Sequence, residues 1–212
     1  MNDGFEPACK GCEAEHGTLW CLDAGASQRY ALTPANEMKA HIAASLIELV
    51  NEKPYAKITV GDISKKSNIA RQTFYNHFTD KNDLVDWMYE LLLQQTTRRI
   101  GVDLTWKEGT MRKLAVMRAH SAFFAQVYRE TDPASLKSRE PRKIISYYEA
   151  NLLRLSGKRL DPLEASTLSI YCYGAVQLAA EWLGRGGKEP VSAIVAANEA
   201  ALPRFAARIL TS

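Results

Sequence analysis

Apolar residues recur at helical spacing along most of the chain, and nowhere do they alternate long enough to suggest a strand. Ile42, Ala43, Leu46, Leu49 and Val50 form the first stripe. Thr33-Pro34 opens it with a capping hydroxyl and a proline at the first helical position. Pro54 closes it by disfavouring the α conformation at Lys53. Thr59, with Asp62 three residues on, predicts a second helix whose Val60 and Ile63 face inward. Asn68 suits the left-handed conformation of a sharp inter-helix turn. A short third helix is expected over about residues 71–77, gripped by Phe74 and Phe78. A fourth is capped by Asp80 and runs through Leu84, Val85, Met88, Leu91 and Leu92 toward Ile100.

Beyond Gly101 the periodicity predicts helices over residues 111–129, 141–155, 162–182 and 190–210. Asp161-Pro162-Leu163-Glu164 supplies cap, proline and N3 carboxylate for the third of these, and Gly184-Arg185-Gly186-Gly187 stops it. Pro203 is expected to kink or split the last one. The expected fold is all-α: an N-terminal three-helix, helix-turn-helix domain over residues 33–82 and a helical domain over residues 83–212, behind a flexible leader over residues 1–32.

The chain is long enough, at 212 residues, to bury a core as one or two domains. Its 46% hydrophobic and 24% charged content is ordinary, and a formal charge of +3 neither requires nor excludes a nucleic-acid partner. No apolar run approaches the length of a membrane span, and the first thirty residues lack the basic-then-apolar pattern of a secretory signal. A cytoplasmic protein with reduced thiols is therefore expected.

Cys9, Cys12, His16 and Cys21 are types that ligate zinc, and C-x2-C is a usual half-site. The second half is poorly spaced. The plainer reading is an arm carrying reduced cysteines, with no metal or cofactor, and a metal- or thiol-responsive switch is the alternative. Cys172 reads as a small core residue. No Gly-rich phosphate loop, metalloprotease histidine pair or G-x-S-x-G occurs, so no catalytic residues are assigned and no enzyme is expected.

The tract from Thr59 to Lys81 carries the most specific chemistry. A helix of about seven residues cannot stand alone, so Phe74 and Phe78 must hold it while Arg71, Gln72, Thr73, Tyr75 and Asn76 face outward. Arg pairs with guanine edges and Gln or Asn with adenine edges, while Thr and Tyr hydroxyls suit phosphate oxygens. Thr59 and Lys81, each at a helix start, offer further phosphate positions. The partner implied is double-stranded DNA, read in the major groove.

These residues resemble the helix-turn-helix of TetR-family transcriptional regulators. The resemblance lies in Ile58-Thr59-Val60, Asp62-Ile63, Thr73-Phe74-Tyr75-Asn76-His77-Phe78, and Lys81 followed by Leu84, and it covers about residues 34–85. It implies base or phosphate contacts for Arg71, Gln72, Thr73 and Asn76, and phosphate-side positions for Tyr75, His77, Thr59 and Lys81. Asn68-Ile69-Ala70 stands where the family often has Gly-Val-Ser, and Gly61 where some members carry a long side chain toward DNA. The resemblance also implies a homodimeric repressor released from a palindromic operator by a small-molecule ligand.

Residues 168–182 are apolar on most sides, as a helix packed against its own domain and against a twin subunit would be. The small residues from Ala193 to Ala201 permit close approach, so dimerisation is expected through the last two helices. Tyr173-Gly174, Glu181-Trp182-Leu183 and Gly186 are similar to a TetR subgroup that includes regulators of dihydroxyacetone-kinase operons. Some of that subgroup answer to a protein partner, so an activator or adaptor is the second reading. Candidate ligand-pocket residues are Trp87, Trp106, His120, Phe123, Phe124, Tyr128, Tyr147, Tyr148 and Tyr171; ordinary aromatic core is their alternative role.

Overall fold

The computed structural model describes residues 34–211. Among them are ten α-helices, two single-turn 3-10 helices and no strand, so the fold is all-α. They fall into two compact units that divide between Met88 and Tyr89.

In the N-terminal unit, α1 spans Pro34–Glu52 and buries the stripe Ile42, Ala43, Leu46, Leu49 and Val50. It ends before Pro54, and a 3-10 turn, Tyr55–Lys57, follows. Helix α2 spans Val60–Lys66. The Thr59 hydroxyl accepts from the Asp62 N–H while the Asp62 carboxylate accepts from the Thr59 N–H, a reciprocal cap that satisfies two orphan donors. Asn68 turns the chain with φ of 52°. Helix α3 spans Arg71–Tyr75, shorter than the expected 71–77, because His77 and Phe78 donate into a closing turn. Helix α4, Lys81–Gln95, begins where Asp80 accepts from the N–H groups of Asn82 and Asp83. It stops short of the expected Ile100, where the 3-10 turn Thr97–Arg99 intervenes.

The C-terminal unit holds α5 (Trp106–Ala119), α6 (Ser121–Val127), α7 (Leu136–Ser156), α8 (Pro162–Gly184), α9 (Val191–Ala201) and α10 (Arg204–Leu210). Helix α8 packs on α6 and α7, α9 on α5, and α10 on α7. Three boundaries differ from the sequence expectation. The expected helix 111–129 is two helices. Residue His120 leaves helical geometry at ψ of 34°, yet Met117 and Phe124 stay buried on either side, so the apolar period hides the break. The first of the two starts at Trp106, under a Thr105–Glu108 capping box. Helix α7 begins at Leu136 rather than Pro141, capped by Ser135. Its proline sits at the sixth position, removing an N–H whose partner would be the Lys137 carbonyl.

The Asp161–Glu164 box opens α8 as expected, and Leu202-Pro203 splits the last expected helix into α9 and α10. After α8 the chain reverses through Gly186 and Gly187, both at positive φ, and the Trp182 indole N–H donates to the Glu189 carbonyl at 3.1 Å. No described helix is long and apolar enough to cross a membrane.

Asn68 is the one non-glycine residue at positive φ among those described. Asn68→Val should lower stability by about 1–2 kcal/mol, and Asn68→Gly should leave it equal or higher, as read by urea denaturation.

Candidate nucleic-acid interface

The five-residue α3 is held from behind. Phe74 is fully buried, with its ring 5.7 Å from Phe78, and Phe78 meets Trp87 edge-on at 5.8 Å. The Lys39 ammonium lies over both the Phe78 and Trp87 rings. With Phe74 turned inward, Arg71, Gln72, Tyr75 and Asn76 are all exposed, Tyr75 by 52%. Thr73 and His77 are half-covered at the edges of this face. Gln72 donates to the Asn76 side-chain oxygen at 3.1 Å, so two candidate base readers, one helical turn apart, present a joined amide edge. The Arg71 guanidinium has no hydrogen-bond or ion-pair partner among the described residues and lies over Gly61.

Two of the expected phosphate positions have structural tasks. Lys81 donates to the carbonyls of Tyr55, Ile58 and Ala56, at 2.9, 3.1 and 3.4 Å, and its ammonium sits 4.3 Å from the centre of the Tyr55 ring. Tyr55 is itself fixed by donating to Asn82 at 2.8 Å. Lys81 therefore ties the start of α4 to the 3-10 turn before α2. Thr59 spends its hydroxyl on the cap. Its partner Asp62 also pairs with Lys53 at 2.7 Å, and the Lys53 and Thr59 contacts hold the Asp62 carboxyl well below the usual carboxylate range. The first N–H groups of α4 are taken by Asp80. Sequence reasoning missed Lys39, Tyr55 and Asn82, whose partners are distant along the chain.

Of the candidate pocket residues, Trp87 falls in the N-terminal unit, against Phe78. The other eight lie in the C-terminal unit. Phe123 and Phe124 meet edge to face, and Phe124 continues onto Tyr128. The Trp106 indole N–H donates to the Tyr148 hydroxyl at 2.9 Å, and the Tyr148 ring meets Tyr171. Tyr147 donates to Glu90. His120 is half-buried, and desolvation pulls its imidazole pKa down.

At the centre of this unit is a residue the sequence did not single out. Glu140 on α7 is buried, and its two carboxylate oxygens accept from Tyr89 and Tyr128 respectively. Burial lifts its pKa, against the pull of Lys113 and the two phenols, while burial and the nearby carboxyl push both tyrosines well up. Desolvation also lowers Lys113 and pushes the buried Cys172 thiol up to about 12. Glu140 sits in the polar run 137–143, which reads as a solvated face. The described residues include no cluster suited to a metal, and Cys9, Cys12, His16 and Cys21 lie outside them.

A recognition helix braced by buried aromatics, with its polar face turned outward, defines a helix-turn-helix protein of the all-α class. Residues 42–88 match the family model described as bacterial regulatory proteins, tetR family. Over those residues the chain is similar to this family of transcriptional regulators. Its segment of 87 residues is 25% identical to the HTH-type dhaKLM operon transcriptional activator DhaS of Lactococcus lactis subsp. lactis (strain IL1403), covering 41% of this chain and 46% of that protein. The chain thus spans less than half the length of that curated relative.

Two solved structures share the fold. One, a dihydroxyacetone kinase operon activator DhaS, has a TM-score of 0.52 at 18% identity over 82% of this chain and 98% of that one. The other, a TetR transcriptional regulator from Streptococcus agalactiae 2603V, has a TM-score of 0.55 at 22% identity over 86% and 100%.

Two outcomes follow from the geometry. Lys81→Met should cost about 1–3 kcal/mol of stability through its unpaired carbonyls, whereas Arg71→Ala should stay within about 0.5 kcal/mol, both by thermal unfolding. The folded protein keeps Glu140 protonated to higher pH than the unfolded chain does. Stability relative to Glu140→Gln should therefore fall as pH rises above the ordinary glutamate value of 4.5, in denaturant titrations from pH 5 to 8.

Proposed function

We propose that the chain binds double-stranded DNA as a homodimer, laying α3 in the major groove, and that residues 33–82 do the reading. The observation that carries this is the exposed set Arg71, Gln72, Tyr75 and Asn76 on a helix whose opposite side is locked by Phe74. Arg71, Gln72 and Asn76 supply donors and acceptors for base edges, and Thr73, Tyr75 and His77 meet phosphates at the margins. Thr59 and Lys81 act at the phosphates beside their structural tasks. The site of action is the cytoplasm, where the DNA partner resides.

Residues 83–212 dimerise and receive the signal. Along α8, Leu163 and Ile170 are 76% and 74% exposed and Tyr173 is 49% exposed. The first two are two helical turns apart and Tyr173 is one turn further, so they share a face. Ala193, Ala196, Ala197, Ala200 and Ala201 of α9 are also exposed. An apolar face on α8 and a small-residue face on α9 support burial against a second copy. One helix reads few base pairs, and two on a dyad read a palindrome. A small molecule held among the aromatic side chains of this unit would release the operator by favouring one conformer over the other.

A second reading, an activator or adaptor controlled by a protein partner, is favoured by two observations: the likeness to DhaS, and the closed hydrogen-bonding of Glu140, whose oxygens are both taken internally. A thermal shift of the isolated chain on adding a small-molecule inducer of its target gene favours the first reading. A co-purifying protein required for the transcriptional response favours the second.

In gel shifts against DNA flanking its own gene, the wild type should give a specific, salt-sensitive shift. Arg71→Ala with Tyr75→Ala should weaken it by about tenfold or more. In sedimentation the wild type should run as a dimer, and Ile170→Glu should run as a monomer that has lost operator affinity. A monomeric wild type, or a double variant with undiminished specific binding, contradicts the proposal.

A further inference from the structure

We infer that Gly61 is a positioning residue for Arg71, so that the missing side chain on α2 determines how α3 reads its DNA; this rests on the reading above that α3 meets base edges. A Cβ at position 61 would lie 2.5 Å from the Arg71 Nη2, 3.1 Å from its Cζ and 3.2 Å from its Nε. All three atoms belong to the guanidinium end, so that group occupies the space a side chain at position 61 would need. The surroundings do not otherwise explain a glycine there. It lies inside α2, where glycine is a poor helix former, and it is not among the glycines with positive φ. What its missing side chain provides is space, and Arg71 occupies that space.

The consequence is directional. Arginine reads guanine through a planar fork, so its contribution depends on where the fork starts and at what angle it leaves the helix. Among the described residues no hydrogen bond or ion pair fixes the guanidinium, which leaves the floor made by Gly61 as its restraint. Any side chain at 61 lifts the fork and releases it into other rotamers. The fold is spared, because the crowded atoms are the far end of a flexible side chain.

The test is selection of bound DNA from a random pool, with affinities measured for the wild-type motif, using the full chain as wild type, Gly61→Ala, Arg71→Ala and the double variant. Gly61→Ala should melt at or above the wild-type temperature. It should lose base preference at the same motif positions as Arg71→Ala. It should bind the wild-type motif about tenfold more weakly, yet change affinity by less than about twofold when Arg71 is already alanine. Preference lost at different positions, equal losses in both backgrounds, or an unchanged motif overturns this inference alone. A wild type that enriches no motif overturns it together with the DNA-binding reading.

Discussion

Burial of Phe74 is the constraint on which the exposed polar face of α3 depends. Five residues of helix are far below the length at which a helix persists in water, so α3 depends on its buried aromatic anchor, Phe74, whose ring meets Phe78, which in turn meets Trp87. Burying such a ring contributes about 1.5–3 kcal/mol, enough to offset much of the cost of ordering so short a segment. The same packing fixes the rotation of the helix. With Phe74 inward, Arg71, Gln72, Tyr75 and Asn76 can only be outward, so the packed side and the exposed polar side belong to one helix.

Around that anchor, polar residues work mainly on the backbone. Thr59 and Asp62 start α2, Asp80 starts α4, and Lys81 gathers the carbonyls of the 3-10 turn. These contacts set the positions of neighbouring elements within the N-terminal unit. The C-terminal unit applies a different principle. Its core contains a buried carboxyl whose oxygens are satisfied by Tyr89 and Tyr128, so removing one phenol leaves a desolvated acceptor rather than a simple cavity. Such a centre tolerates little rearrangement.

Much of this was legible in the residues because the controlling interactions are local. The Thr59–Asp62 and Asp161–Glu164 boxes join residues three apart, Asn68 answers a single backbone dihedral angle, and Phe74 and Phe78 lie one turn apart. The Thr105–Glu108 box has the same local form, yet the expected start at residue 111 passes over it. What escaped depends on distance along the chain. Lys81 finds carbonyls 23 to 26 residues away, and Glu140 finds one phenol 51 residues away, so neither role has a sequence period. The break at His120 escaped for another reason: the apolar period runs on across it. Gly61 stands out in the sequence as a missing side chain, but that Arg71 fills its space is seen only in the structure.

The central claim, that two copies of α3 enter successive major grooves on one face of a duplex, is tested most directly by hydroxyl-radical footprinting of the full chain on its bound DNA. Two protected patches per strand are predicted, related by a dyad and separated by about one helical turn or a small multiple of it. A single protected patch, or protection spread evenly along the duplex, would contradict it.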